Sequence, residues 1–147
     1  MKFKGIKFQD LNIQQLYDIL QLRSEVFVVE QDCDYQDIDG NDQIAIHVCA
    51  YDKNILVAYA RILPPQTYFK EPSIGRVIVK ASHRKLNLGH KLMDFCITQT
   101  NHLYPDKTLK ISAQQYLITF YNKHGFEVKG EGYLEDGIPH VAMYRQY

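Results

Sequence analysis

The chain has no tryptophan and only three cysteines, Cys33, Cys49 and Cys96, among 147 residues. An odd set of thiols without paired spacing excludes a disulfide framework and points to a reducing compartment. The six histidines and these cysteines show no zinc-like spacing, so no metal is expected. No apolar run approaches the roughly 18 residues needed to cross a membrane. The opening segment M-K-F-K-G-I-K-F-Q-D lacks the long apolar stretch and small-residue cleavage site of a signal peptide, so a cytoplasmic protein without a membrane partner is expected. Net charge is absent as well. Seventeen basic residues balance 17 acidic ones, which argues against a nucleic-acid binder working by phosphate neutralisation. No G-x-x-x-x-G-K-[ST] loop occurs, which removes the nucleotide-hydrolysing P-loop. Internal repeats, low-complexity tracts and linkers are also missing.

What is present suits one domain over residues 1–147 with a well-buried core, 46% of the residues being hydrophobic and 23% charged. The charges are segregated. Ser24 to Asp52 contains acids but no Lys or Arg, whereas Ser73 to Met93 contains Arg76, Lys80, Arg84, Lys85 and Lys91 but no acid. Either both segments are solvated faces, or one meets a cationic ligand and the other an anionic one. Asp37 to Asp42 superficially matches a calcium loop, but its glycine falls fourth rather than sixth and Val48 stands where the closing Glu belongs.

Periodicity predicts the order β-α-α-β-β-β-α-β-α-β-β. Phe3, Ile6 and Phe8 mark a first strand. Asn12 and Gln15 resemble a capping pair opening a helix to about Arg23, and Glu25 to Glu30 reads as a second short helix. Strands are expected at Gln43–Tyr51 and Ile55–Leu63, with a hairpin at Asp52-Lys53-Asn54. Ile74 to Val79 is a β-branched run followed by a basic turn and a helix to Leu103. Further along come a strand at Leu109–Ala113, a helix at Gln115–His124, a strand at Phe126–Lys129, a Gly-rich loop at Gly130–Gly137 and a last strand at Pro139–Tyr144. The fold class is α/β: a mixed, mainly antiparallel central sheet flanked by helices.

Two stretches carry chemistry. In the first, strand, turn and helix bring backbone N–H groups and a positive helix end to one point, which suits a pyrophosphate. Gly89 permits close approach of the backbone, and Arg84, Lys85 and Lys91 add positive charge. A glycine-containing β-to-α connection is also common in any α/β fold. The second is F-Y-N-K-H-G-F, Phe120 to Phe126. It is core aromatics with a glycine cap, or else Tyr121 supplies a phenol of ordinary pKa about 10, able to protonate a thiolate of about 8.5.

The pair resembles the GNAT N-acetyltransferase superfamily, whose pattern is a V-x-V strand, Q/R-x-x-G-x-G/A and a later L/F-Y-x-K-x-G-F. Here these are Val77-Ile78-Val79, Arg84-Lys85-Leu86-Asn87-Leu88-Gly89, and Phe120 to Phe126. The first glycine is replaced by Asn87, a residue that tolerates left-handed backbone better than most. Wider blocks are similar to the ElaA-like family: Leu22–Gln31, Ala58–Pro65, Ser73–Val77, Ile111–Gln114 and Tyr133–His140. The resemblance implies a GNAT fold and acetyl-coenzyme A as donor, with a small-molecule or peptide amine as acceptor and room for a homodimer. It places Val77, Ile78 and Val79 on the pantetheine, Arg84 to Gly89 with His90 on the pyrophosphate, and Tyr121 near the sulfur as general acid. A coenzyme A-binding or sensing module with the same fold and no catalysis is the alternative.

Acetyl transfer needs a neutral amine, and deprotonation at pH 7 costs roughly 4.6 kcal/mol for a lysine-type amine but only about 1.1 for an α-amine. Candidates for the base are Glu30, His47, Glu135 and His140. Glu30 leads, because it follows V-F-V-V and borders the acidic stretch that could draw in a cation. Arg61 and Arg76 could instead select an acceptor carboxylate.

Overall fold

Asn12 opens the first helix with a reciprocal cap: its side chain accepts from the Gln15 N–H at 2.7 Å, and Gln15 returns the bond at 2.9 Å. In a computed structural model, which describes residues 1–147, this helix (α1) spans Ile13–Arg23. It runs directly into a π-helical segment, Ser24–Glu30, where the N–H groups of Gln31 and Cys33 reach the carbonyls of Val26 and Val28. That wider turn turns Phe27 and Gln31 toward the cavity described below. The short second helix expected here is thus a continuation of the first.

Strands β1 (Phe3–Lys7), β2 (Ile46–Asp52), β3 (Ile55–Leu63) and β4 (Ser73–Val79) form one antiparallel sheet in chain order. Strand β2 begins later than the sequence predicted, because Asp42–Ile44 forms a 3-10 turn. After α2 (Leu88–Leu103), β5 (Leu109–Gln114) starts a second sheet. The expected helix after it is a 3-10 turn, Gln115–Leu117, followed by α3 (Ile118–Asn122). Then come β6 (Glu127–Val128), β7 (Tyr133–Glu135) and β8 (Ile138–Arg145), with β8 pairing all three other strands of its sheet. Every ladder is antiparallel, and the central sheet is divided into these two halves.

Alternation along the strands sends side chains to opposite faces. Val48, Ala60 and Ile62 pack with Leu92, Met93 and Cys96 of α2, whereas Cys49, Tyr59 and Ile78 pack with Ile19 and Leu22 of α1. Strand β3 is therefore covered on both faces, which is why it reads as a nearly continuous apolar run. No helix is long and apolar enough to cross a membrane.

Candidate active site

The two halves of the sheet part between β4 and β5. One backbone bond, from the Lys110 N–H to the Pro72 carbonyl at 3.2 Å, bridges them at the start of both strands. Strand β4 is an edge strand of its sheet, so the backbone of Val77 to Val79 has no ladder partner on its outer side. Such an edge can hydrogen-bond an extended ligand. β4 is also bulged: Arg76 has φ of +52°, and the register with β3 slips between Tyr59 and Arg61.

Beyond β4, Asn87 adopts the left-handed conformation, φ 58° and ψ 21°, immediately before α2. Asparagine thus performs the turn that the resemblance assigns to glycine. Asn87→Gly is expected to keep or slightly raise stability, while a β-branched Asn87→Val loses about 1–2 kcal/mol and weakens coenzyme A binding, read by thermal denaturation and calorimetry. Gly89 brings the helix onto α3; a Cβ there would lie 3.4 Å from the Phe120 ring. Leu86 and Lys85 are exposed and Leu88 is buried. Arg84 is engaged by the protein: its Nε donates to the Val79 carbonyl at 2.9 Å and its guanidinium pairs with Glu30. Lys85 and Lys91 remain exposed on the turn and the first turn of α2.

His90 joins a relay on the same helix end. Its Nδ1 lies 2.8 Å from His124 Nε2, and His124 Nδ1 lies 3.2 Å from Asp94 Oδ1. The carboxylate fixes the His124 proton on Nδ1, so Nε2 accepts from the His90 Nδ1–H. Burial lowers the His124 pKa, with Asp94 acting in the opposite direction, and His90 stacks 4.6 Å from Phe120.

Tyr121 on α3 is buried, with Phe120 and Phe126 meeting it edge-on. Burial pushes its pKa well above the ordinary phenol value, helped by Tyr116 and Cys96, so it is protonated at neutral pH. It lines a cavity at the parting of the sheets together with Gly75 and Val77 of β4 and Ser112 and Gln114 of β5. Glu135 and His140 line the same cavity. His140 Nε2 is 3.3 Å from Glu135 Oε2, and its Nδ1 is 2.7 Å from the Ile138 carbonyl. The hydroxyls of Ser112 and Tyr68 both donate to Glu135 Oε1 at 3.2 Å.

The other two base candidates lie elsewhere. Glu30 pairs with Arg84 and is not in the cavity wall. His47 is fully buried, 2.6 Å from the Tyr59 hydroxyl and 2.8 Å from the Asp42 carbonyl, and burial lowers its pKa.

The acidic stretch requires a correction. Asp37, Asp39 and Asp42 neither form a solvated face nor attract a cation, because three arginines hold them. Arg23 binds Asp37 at 2.8 Å and Asp42 at 2.7 Å; Arg61 binds Asp39 at 2.7 Å and Asp42 at 2.9 Å; Arg76 binds Asp37 at 2.8 Å. Arg61 and Arg76 are consequently not free to select a carboxylate by charge. No local pattern announces this lattice, since its partners are 14 to 39 residues apart. Arg61 Nε is the one buried side-chain polar atom left without a partner.

The family model for an acetyltransferase (GNAT) domain matches residues 7–146. Protein ElaA of Escherichia coli K12 is 42% identical over 148 aligned positions, covering 99% of this chain and 97% of that protein. The crystal structure of E. coli ElaA superposes with a TM-score of 0.93 at 41% identity, covering 99% of this chain and 100% of that one. An acyl-CoA N-acyltransferase from Pseudomonas aeruginosa also gives 0.93, at 39% identity and 99% coverage of both chains. An aminoglycoside 6′-N-acetyltransferase complexed with coenzyme A shares the fold alone, at TM-score 0.71 and 16% identity, over 99% of this chain and 97% of that one. Matched along nearly its whole length in sequence and in backbone path, the chain belongs to the GNAT acetyltransferase family, in its ElaA-like branch.

Proposed function

We propose that this protein transfers an acetyl group from acetyl-coenzyme A to a primary amine of a small molecule or peptide, by direct attack on the thioester. The observation that carries this reading is Tyr121, a protonated phenol in a cavity beside the unpaired edge of β4. Donor binding fits the chain's own groups. The backbone of Val77, Ile78 and Val79 takes the pantetheine as an added strand would be taken, and the segment from Arg84 through Lys85, Leu86, Asn87, Leu88 and Gly89 to His90 takes the pyrophosphate at the α2 N-terminus. When bound, acetyl-coenzyme A supplies the activated acyl group. A backbone N–H of bulged β4 stabilises charge developing on the carbonyl oxygen, and Tyr121 donates its proton to the departing sulfur.

The base role goes to the Glu135–His140 pair. His140 Nδ1 must carry a proton to donate to the Ile138 carbonyl, so its Nε2 faces Glu135 with either a lone pair or a second proton. An ammonium entering between them gives up one proton to the pair and becomes the neutral nucleophile. Glu30→Gln is accordingly expected to change turnover by less than about twofold, whereas Glu135→Gln lowers it about a hundredfold in the same assay.

The experiment is coenzyme A release measured over a panel of amines, alongside calorimetry of acetyl-coenzyme A binding. Product with at least one amine supports the transferase. Donor binding without any product would make the chain a non-catalytic coenzyme A module, and no binding would overturn both readings.

A further inference from the structure

The ionisable groups of the cavity wall divide into two sets. Arg61 and Arg76 are on the wall, but both belong to the lattice of three guanidiniums and three carboxylates, whose charges cancel. What remains on the wall is Glu135, Asp136 and His140. The cavity therefore presents net negative charge to an acceptor, from carboxylates not held by any arginine. An ammonium gains there and a carboxylate does not.

The wall also holds one unanswered donor. Arg61 has only 4% of its side chain exposed, and both of its terminal nitrogens bind Asp39 or Asp42. Its Nε–H has no partner at all. A buried donor left unpaired is costly, and the group that answers it must be an acceptor atom brought by a ligand or solvent. Because the lattice is already neutral, that atom is a neutral oxygen, a carbonyl or hydroxyl, rather than a second carboxylate.

Resting on the acetyltransferase reading above, the geometry points to an acceptor that is a cationic amine carrying a neutral carbonyl oxygen, as in an amino-acid amide or a peptide N-terminus, and not a free amino acid. The α-amine of such a compound is also far easier to deprotonate than a lysine-type amine, which suits a base that is only a paired carboxylate and imidazole. The apolar remainder of the acceptor faces Tyr68, Phe69 and Leu117.

The test is a matched series of phenylalaninamide, phenylalanine, phenethylamine and an amidated Phe-Gly-Gly peptide, with rates normalised to the neutral-amine fraction of each. Phenylalaninamide is expected to exceed phenylalanine in kcat/KM by about a hundredfold or more, and phenethylamine by about tenfold. The peptide distinguishes the source: parity with phenylalaninamide assigns a peptide N-terminus, and loss of activity assigns a small amide. Calorimetry with the protein saturated in coenzyme A reads the same order without chemistry, and Glu135→Gln should weaken amide binding about tenfold with donor affinity unchanged. Phenylalanine binding and reacting as well as its amide would overturn the assignment while leaving the transferase reading intact. Donor binding with no acetylation of any of the four, and of no other amine, overturns the transferase reading and the acceptor class with it.

Discussion

Tyr121→Phe is expected to lower turnover about a hundred- to ten-thousandfold with acetyl-coenzyme A affinity unchanged, the range for loss of a positioned proton donor. The substitution is narrow because the ring stays. Its edge contacts with Phe120 at 5.1 Å and Phe126 at 6.0 Å are made by carbons that phenylalanine keeps, so the fold should lose less than about 1 kcal/mol. Thiol release at saturating amine, together with donor calorimetry, separates the two quantities. Because burial holds the phenol above its ordinary pKa, this group should cause no alkaline loss of activity below about pH 10 in the wild type. Wild-type turnover in the mutant would take the acid role away from Tyr121.

Asp42→Asn is expected to destabilise the protein by about 3–5 kcal/mol, the usual consequence of removing one partner from a buried ion network. Its Oδ1 accepts from both Arg23 and Arg61, at 2.7 Å and 2.9 Å, and Arg23 is fully buried. Asparagine leaves two guanidiniums short of one negative charge. Asp39, with a quarter of its side chain exposed, should cost less when changed in the same way. Urea denaturation at neutral pH measures both, and a loss under about 1 kcal/mol for Asp42→Asn would deny the lattice its structural role.

The same network sets acid sensitivity. Burial alone would raise the Asp42 pKa, but Arg23 and then Arg61 more than reverse it; Asp39 is likewise held low against burial, by Arg61 first. Both carboxyls therefore take up protons at lower pH in the folded chain than the value near 3.9 of an unfolded aspartate. Their stabilisation is complete well above pH 4 and is lost as pH falls through and below that value. Asp42→Asn should flatten this acid limb.

Much of the scaffold is legible because its causes are local. The Asn12–Gln15 cap, the double-faced apolar run of β3 and the left-handed tolerance of Asn87 each sit within a few residues of their effect. The hairpin at Lys53-Asn54 has both residues at positive φ, as a two-residue turn requires. The same chemistry was legible but unread at Asp136-Gly137, whose φ values of 52° and 76° close β7 onto β8 inside a segment that reads as a Gly-rich loop. Tyr133–Glu135 is too short and too exposed to announce itself as a strand, and only pairing with β8 makes it one. What sequence could not supply was long-range partnership. Nothing near Asp37 or Asp42 foretells Arg23, Arg61 and Arg76, and nothing near Glu135 foretells Tyr68, Ser112 and His140. Glu30, the strongest base candidate by its neighbours in the chain, meets Arg84 for the same reason.

That lattice has a consequence for how such a site can diversify. One side of the cavity hangs from aspartates that also clamp α1 and β3, so altering it means unfolding part of the core. The opposite side, Glu135 through His140, is a short hairpin attached through β8 and through the Cys33 thiol bonded to the Asp136 carbonyl at 3.2 Å. Selection can exchange that hairpin as a cassette, changing which amines are accepted while the donor side and the fold stay constant.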